Sequence, residues 1–153
     1  MGVRMRVLLV CSSGGHLSQL MCLESWWTDH ERHWVSFDTS DARDKLASET
    51  VTWAHHPTTR SLPNLVRNAF LARRLLREYS PDVIVSTGAG VAVPFFWLGR
   101  RSGARTVFLE VYDRIDSPTL TGRLCERASD LFLVQWPEQL LHYRSATLLG
   151  SVW

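Results

Sequence analysis

The sequence predicts an α/β fold: a mainly parallel sheet with helices on both faces. Three observations predict it. Short continuous apolar runs of strand length, such as Arg6–Cys11, Val83–Ser86 and Arg105–Glu110, alternate along the chain with segments of helical period. Two of these runs stop at glycine turns from which a helical pattern resumes, Ser12-Ser13-Gly14-Gly15-His16 and Thr87-Gly88-Ala89-Gly90. The chain has 153 residues, 45% hydrophobic and 21% charged, which suits a globular core rather than disorder.

In chain order, Arg6–Cys11 reads as the first strand. Leu17, Leu20, Met21 and Leu23 set the period of a helix over His16–Trp27. Glu31–Asp38 reads as a strand, followed by the turn cluster Asp38-Thr39-Ser40-Asp41, a short helix over 42–47 and a short strand over Thr50–Ala54. His55-His56-Pro57-Thr58-Thr59-Arg60 is a polar loop. Ser61 is placed to cap a long helix to Tyr79, with Pro63 in its first turn, where proline is tolerated. Its expected apolar face is Leu62, Leu65, Val66, Ala69, Phe70, Leu76 and Tyr79, with Arg67, Arg73, Arg74 and Arg77 on the remainder. Ser80-Pro81-Asp82 stops it, and Val83–Ser86 is the next strand. A helix is expected over 91–98, ended by Gly99-Arg100-Arg101-Ser102-Gly103. Arg105–Glu110 is a strand, Val111–Thr121 a polar loop, 122–128 a short helix and Asp130–Gln135 a strand. A last helix from Pro137 to Tyr143 and a final strand over Ala146–Leu149 complete the reading.

No repeat, low-complexity segment or linker interrupts this, so residues 1–153 are expected to form one domain. A net charge of +2 argues against nucleic acid as the partner. Three cysteines without metal-like spacing suit reduced cytosolic thiols. A strand begins almost at the first residue, so no signal peptide is expected, and no apolar run approaches the roughly 20 residues of a membrane span.

In a wound parallel sheet, ligands lie beyond the carboxyl ends of the strands, where strand order reverses. With the order 3-2-1-4-5-6, the two glycine loops flank one crevice. Ser13, Gly14, Gly15, Thr87, Gly88 and Gly90 are then candidates to cradle an anion with backbone N–H groups. His16 and Glu110 are candidate bases, since each falls at that edge and both residue types move protons. Asp113 and Arg114 follow a strand end as charged candidates for binding, and Gln135 and Trp136 mark the site edge or a partner contact. Each has a plainer reading: a tight turn for the glycines, a packing histidine, and Glu110 as the structural partner of Arg105 or Arg114. Phe95, Phe96 and Trp97 are core by default, yet Arg100 beside them and Arg67 and Arg74 on the preceding helix also suit a monotopic surface on anionic lipid.

These residues resemble a known family. Ser12–Leu17, Ser86–Gly90 with Pro94, the run Phe108–Arg123, the block Ala128–Glu138 and the terminal Leu149-Gly150 look like the acceptor-side subunit of split GT-B glycosyltransferases. That family includes the partner subunit of the eukaryotic two-subunit UDP-N-acetylglucosamine transferase acting on dolichol-diphosphate-GlcNAc, and the PssD-type proteins of bacterial capsule and exopolysaccharide synthesis. The Gly14-Gly15-His16 loop is also similar to the first glycine loop of MurG. The resemblance implies a Rossmann-like domain equivalent to the N-terminal half of a GT-B enzyme. It implies an acceptor that is a lipid-diphosphate-linked saccharide, and a second, UDP-sugar-binding subunit of PssE type. It implies no metal and no cofactor, and peripheral attachment to the cytoplasmic face of the membrane. The wording Glu110–Pro118 fits the bacterial branch, which favours an undecaprenyl over a dolichol carrier. The donor sugar would be of N-acetylglucosamine or glucuronic acid type, and the chain would be inactive without its partner.

Two other readings stay open. One is a non-catalytic scaffold that recruits the catalytic subunit to membrane. The other is a dinucleotide-binding domain, for which Asp38 lies near the end of the second strand, although Ser12–His16 lacks the G-x-G-x-x-G spacing.

Overall fold

The computed structural model describes residues 2–153. Its elements are β1 (Arg6–Cys11), α1 (Gly15–Met21), α2 (Glu24–Trp27), β2 (Glu31–Phe37), α3 (Ser40–Lys45), β3 (Val51–Ala54), α4 (Leu62–Tyr79), β4 (Val83–Gly88), α5 (Ala92–Arg101), β5 (Arg105–Leu109), α6 (Leu120–Glu126), β6 (Leu131–Val134) and β7 (Ala146–Leu148), with a 3₁₀ turn over Pro137–Leu141 before the last strand. The strands lie in the order β3-β2-β1-β4-β5-β6-β7, and every neighbouring pair is parallel. The order expected for six strands holds, and β7 adds the far edge. The strand order reverses between β1 and β4, which sets the switch point at the centre.

The alternation of β1 builds both cores. Leu8 and Val10 pack into one cluster with Leu71, Leu75, Phe95, Phe96, Phe108 and Phe132, beneath α4, α5 and α6. Val7, Leu9 and Cys11 face the other, with Leu17, Leu20, Trp27 and Trp34. Both faces are therefore covered, as a continuous apolar strand demands.

Several local expectations are corrected. The helix expected over 16–27 breaks in two. Cys22 N–H is shared between the Ser18 and Gln19 carbonyls and Leu23 N–H turns back to Leu20, which tightens the last turn of α1. The short helix expected over 42–47 is α3 and begins at Ser40, because the Thr39 hydroxyl accepts the Ala42 N–H as its cap. Ser61 holds the N-cap position of α4, but its hydroxyl makes no cap bond. Gly99 lies inside α5 rather than ending it: a Cβ there would run into Ile84, so glycine lets the helix close onto β4.

The largest difference is the face of α4. Leu62, Leu65, Val66 and Phe70 are exposed, while Asn64, Asn68, Leu71, Ala72, Leu75 and Leu76 are buried. The asparagines go inside because the loop before the helix satisfies them. Asn68 Nδ2 donates to the His55 carbonyl (2.9 Å), Asn68 Oδ1 accepts the His55 N–H (2.8 Å), and Asn64 Nδ2 donates to the Pro57 carbonyl (2.8 Å).

Candidate functional site

His16 is the second residue of α1 and leans across the switch point onto the end of β4. Its Nδ1 lies 2.8 Å from the Thr87 carbonyl oxygen, and the Thr87 hydroxyl donates to the His16 carbonyl at 2.6 Å. A carbonyl only accepts, so Nδ1 carries the proton. In the neutral ring Nε2 is then left with the lone pair. Gly88, at φ +117°, makes room for this: a Cβ would stand 3.1 Å from His16 Cε1 and 3.2 Å from Nδ1.

The first glycine loop is partly occupied from within. Gly14, at φ +74°, donates its N–H to Asp41 Oδ2 (3.1 Å), and Lys45 Nζ bridges Asp41 (2.9 Å) and the Ser18 hydroxyl (2.8 Å). The Lys45 ammonium, then the Gly14 N–H, holds the Asp41 carboxyl below its usual range. An exposed carboxylate therefore stands where the expected anion would meet Gly14, which weakens that half of the predicted cradle. Ser13 and Gly15 adjoin this contact, and neither lines the cavity that His16 lines.

Glu110 differs from the expected base at the cavity wall. It is 1% exposed and lies behind the lining residues. Its Oε1 accepts the Val111 N–H (2.9 Å), and its Oε2 accepts the hydroxyls of Thr119 (3.2 Å) and Tyr143. Thr119 also takes the Gly122 N–H to cap α6 and gives its own N–H to the Tyr143 oxygen (3.0 Å). One carboxylate thus ties both ends of the loop over 111–119. Burial first, and then the Glu110 charge, push the Tyr143 phenol well above its usual range. Nor does Glu110 follow the plainer reading as a partner of Arg105 or Arg114: Arg105 pairs with Asp130 (3.5 Å), and the Glu110 carboxylate points under the loop.

What that loop walls is a cavity of about 800 Å³ at the carboxyl edge of the sheet. His16, Gly90, Asp113 and Arg114 line it. It also takes in residues that sequence reasoning passed over as loop or core: Thr58, Thr59, Arg60, Leu65 and Leu120. Arg60 sits at φ +54° just before α4. The signal available for these was topological, since the loop after β3 must end at the same sheet edge. Exposed Leu62, Leu65 and Leu120 give the cavity an apolar rim, and the polar side chains of Arg60, Asp113 and Arg114 are exposed in the same lining.

Gln135 and Trp136 fall beside this cavity rather than in it. Gln135 is buried and donates from Nε2 to Gln19 Oε1 (2.6 Å) and the Glu110 carbonyl (3.0 Å). Gln19 in turn accepts the Tyr112 N–H (3.1 Å), so it ties α1 to the ends of β5 and β6. Trp136 donates its indole N–H to the Tyr112 carbonyl (2.8 Å), and its ring lies 5.1 Å from that of Tyr112.

Of the residues expected to face membrane, Phe95 and Phe96 are completely buried in the core, so that expectation is overturned for both. Trp97 is 38% exposed and donates its indole N–H to the Leu124 carbonyl (3.2 Å). Arg100 is exposed and donates to the Arg127 carbonyl (2.8 Å). Arg67 and Arg74 are exposed on α4 beside Phe70. Asp38, the ribose-binding candidate of the dinucleotide reading, is instead paired with Arg43, whose guanidinium holds its carboxyl below the usual range. No helix among the described residues is long and apolar enough to cross a membrane.

Comparison with known proteins adds an independent line. The family described as "Oligosaccharide biosynthesis protein Alg14 like" matches residues 54–152. The "UDP-N-acetylglucosamine transferase subunit ALG14" of Mus musculus is 25% identical over 180 residues, covering 97% of this chain and 83% of the relative. The UDP-N-acetylglucosamine–N-acetylmuramyl-(pentapeptide) pyrophosphoryl-undecaprenol N-acetylglucosamine transferase of Alkaliphilus metalliredigens is 26% identical over 86 residues, covering 56% of this chain and 23% of that protein. Among solved structures, MurG of Acinetobacter baumannii superposes with a TM-score of 0.77 at 15% identity, over 95% of this chain and 45% of that one. The chain therefore spans less than half of that structure, and the likeness concerns the fold: a Rossmann-like domain related to the N-terminal half of GT-B glycosyltransferases.

Proposed function

The chain belongs to the Alg14-like family of oligosaccharide biosynthesis proteins, and from that premise we propose that residues 1–153 form the acceptor-side domain of a two-subunit UDP-sugar glycosyltransferase. A partner of PssE type holds the UDP-sugar. This chain holds a lipid-diphosphate-linked saccharide at the cytoplasmic face of the membrane, and the pair moves an N-acetylglucosamine or glucuronic acid unit onto a sugar hydroxyl of that acceptor during polysaccharide or oligosaccharide synthesis. The chain is inactive by itself.

The observation that carries this reading is His16 on the cavity wall, with Nδ1 committed to the Thr87 carbonyl and Nε2 left to accept a proton. The acceptor hydroxyl gives that proton up as its oxygen attacks the anomeric carbon, and UDP leaves toward the partner's helix terminus. Arg60, Arg114 and the turn at Gly90 take the diphosphate, since Asp41 already meets Gly14. The exposed apolar residues of α4 and the arginines between them support attachment at the bilayer surface. They stand beside the apolar rim, where a lipid chain leaves the cavity.

The test is reconstitution with a UDP-sugar-binding partner and an undecaprenyl-diphosphate saccharide. Label is expected to pass from UDP-N-acetylglucosamine or UDP-glucuronic acid to lipid only when both subunits are present. Equal transfer by the partner alone would overturn the assignment. The internal use of Glu110 and Asp41 favours a second reading, a scaffold that only recruits the partner. In that case His16→Ala leaves both assembly and turnover intact.

A further inference from the structure

A second concavity, away from the acceptor cavity, collects positive charge that the transferase reading does not use. It measures about 590 Å³ and is lined by Arg123, Glu126, Arg127, His142, Arg144 and Ser145. Arg123 and Arg127 stand four residues apart, so they share one side of the end of α6. Glu126 reaches the opposite wall: its Oε1 accepts both the N–H (2.9 Å) and the hydroxyl (3.1 Å) of Ser145. That clamp brings Arg144 up against the helix and occupies the only carboxylate in the lining. Among the described residues, none of the three guanidiniums forms a salt bridge. The lining holds a net of two positive charges, as much as the whole chain carries. The end of a helix stabilises cations by a fraction of a charge, which does not balance three guanidiniums. Such a cluster is relieved by an oxyanion that several guanidiniums can grip at once through paired N–H groups.

We infer that this concavity is a binding site for a phosphate group, held by Arg123, Arg127 and Arg144. The phosphate is either that of a soluble phosphate or diphosphate or that of an anionic lipid headgroup. The second source is accessible because Arg100, which donates to the Arg127 carbonyl, and the exposed Trp97, which donates to the Leu124 carbonyl, extend the same side of the molecule onto α5. The site is separate from catalysis, although Leu120, Thr121 and Leu124 of the same helix line the acceptor cavity.

The experiment uses the full chain, its Arg123→Ala/Arg144→Ala variant, and an Arg4→Ala/Arg101→Ala control that removes equal charge from exposed positions elsewhere. Thermal unfolding is followed with inorganic phosphate and pyrophosphate against chloride at matched ionic strength. Cosedimentation is followed with phosphatidylcholine vesicles with and without phosphatidylglycerol. A soluble ligand is indicated when phosphate or pyrophosphate raises the unfolding temperature of the wild type and the control, and the Arg123→Ala/Arg144→Ala variant binds about tenfold more weakly. A lipid source is indicated when the soluble ions have no effect, but that variant alone loses binding to phosphatidylglycerol vesicles. Equal responses in all three proteins, or no response to either probe, would overturn the site. The readouts need no turnover, so they are independent of the transferase assignment.

Discussion

His16 and Thr87 hold each other across the switch point: Nδ1 donates to the Thr87 carbonyl and the Thr87 hydroxyl donates to the His16 carbonyl. The pair fixes the ring's tautomer and its tilt, and it joins the start of α1 to the end of β4. A general base in this position contributes about 10²–10⁴-fold to rate. His16→Ala is therefore expected to lower kcat in the reconstituted pair within that range, with the fold and partner binding unchanged by circular dichroism and gel filtration. Thr87→Val keeps the carbonyl and should cost less. Gly88→Ala should cost more than Thr87→Val, because it combines a left-handed backbone with a Cβ pressed on the ring. Full activity in His16→Ala would exclude the base assignment.

Glu110 is expected to act through the loop it ties, not through substrate. Glu110→Ala leaves the Val111 N–H and the Thr119 and Tyr143 hydroxyls without their acceptor. An orphaned buried donor costs about 1–3 kcal/mol, so a loss of at least that size is expected in urea unfolding. Glu110→Gln retains one acceptor oxygen, and both hydroxyls can turn to accept. It should recover much of the stability and most of kcat, with KM raised as the wall at Asp113 and Arg114 loosens. An ionisable base would behave otherwise, and Glu110→Gln would abolish turnover in a fully folded protein.

The strands and their order were legible because strands buried on both faces are apolar throughout, and because each glycine turn marks a strand end. His16 was legible by its place beside Gly14 and Gly15. The burial of Glu110 was not, since it depends on Tyr143, 33 residues further on, which no local pattern joins to it. The inner face of α4 was misread for a related reason. Leu62, Leu65, Val66, Ala69 and Phe70 repeat at helical spacing, and the competing stripe begins with two asparagines. Only the loop backbone at His55, through both its N–H and its carbonyl, and the Pro57 carbonyl make burial of those amides favourable. Asp41 meets Gly14 across 27 residues and was equally out of reach.

The exposed stripe of α4 yields a prediction that separates surface from core. Val66→Ser/Phe70→Ser removes apolar surface that is 48% and 69% exposed. Stability should change by no more than about 0.5 kcal/mol, as for surface positions generally. Cosedimentation with anionic vesicles should fall several-fold. Phe95→Ala should do the reverse: a completely buried phenyl costs about 3–5 kcal/mol when deleted, and the vesicle affinity of whatever remains folded should be unchanged. Undiminished vesicle binding by Val66→Ser/Phe70→Ser would remove α4 from the membrane contact.

The cysteines predict both a reactivity pattern and an alkaline limit. Cys22 is exposed, while Cys11 and Cys125 are buried. Burial pushes the Cys11 thiol up to about 12, and burial with the nearby Glu110 charge pushes Cys125 higher still. Thiolates react and thiols do not, so a thiol-titrating reagent at pH 8 should count one group in the native chain and three in denaturant. The linkage has a definite sign. The folded values lie above the unfolded ones, so the unfolded chain sheds these protons first. Stability is intact below pH 9 and declines above it, by up to about 1.4 kcal/mol per pH unit for each buried thiol. Urea unfolding between pH 8 and about pH 10.5 measures the slope. Cys125→Ala should start from a lower stability at pH 8, through the small cavity it leaves, yet decline less steeply than the wild type. Parallel slopes for the two proteins would mean that Cys125 ionises as freely in the folded chain as in the unfolded one.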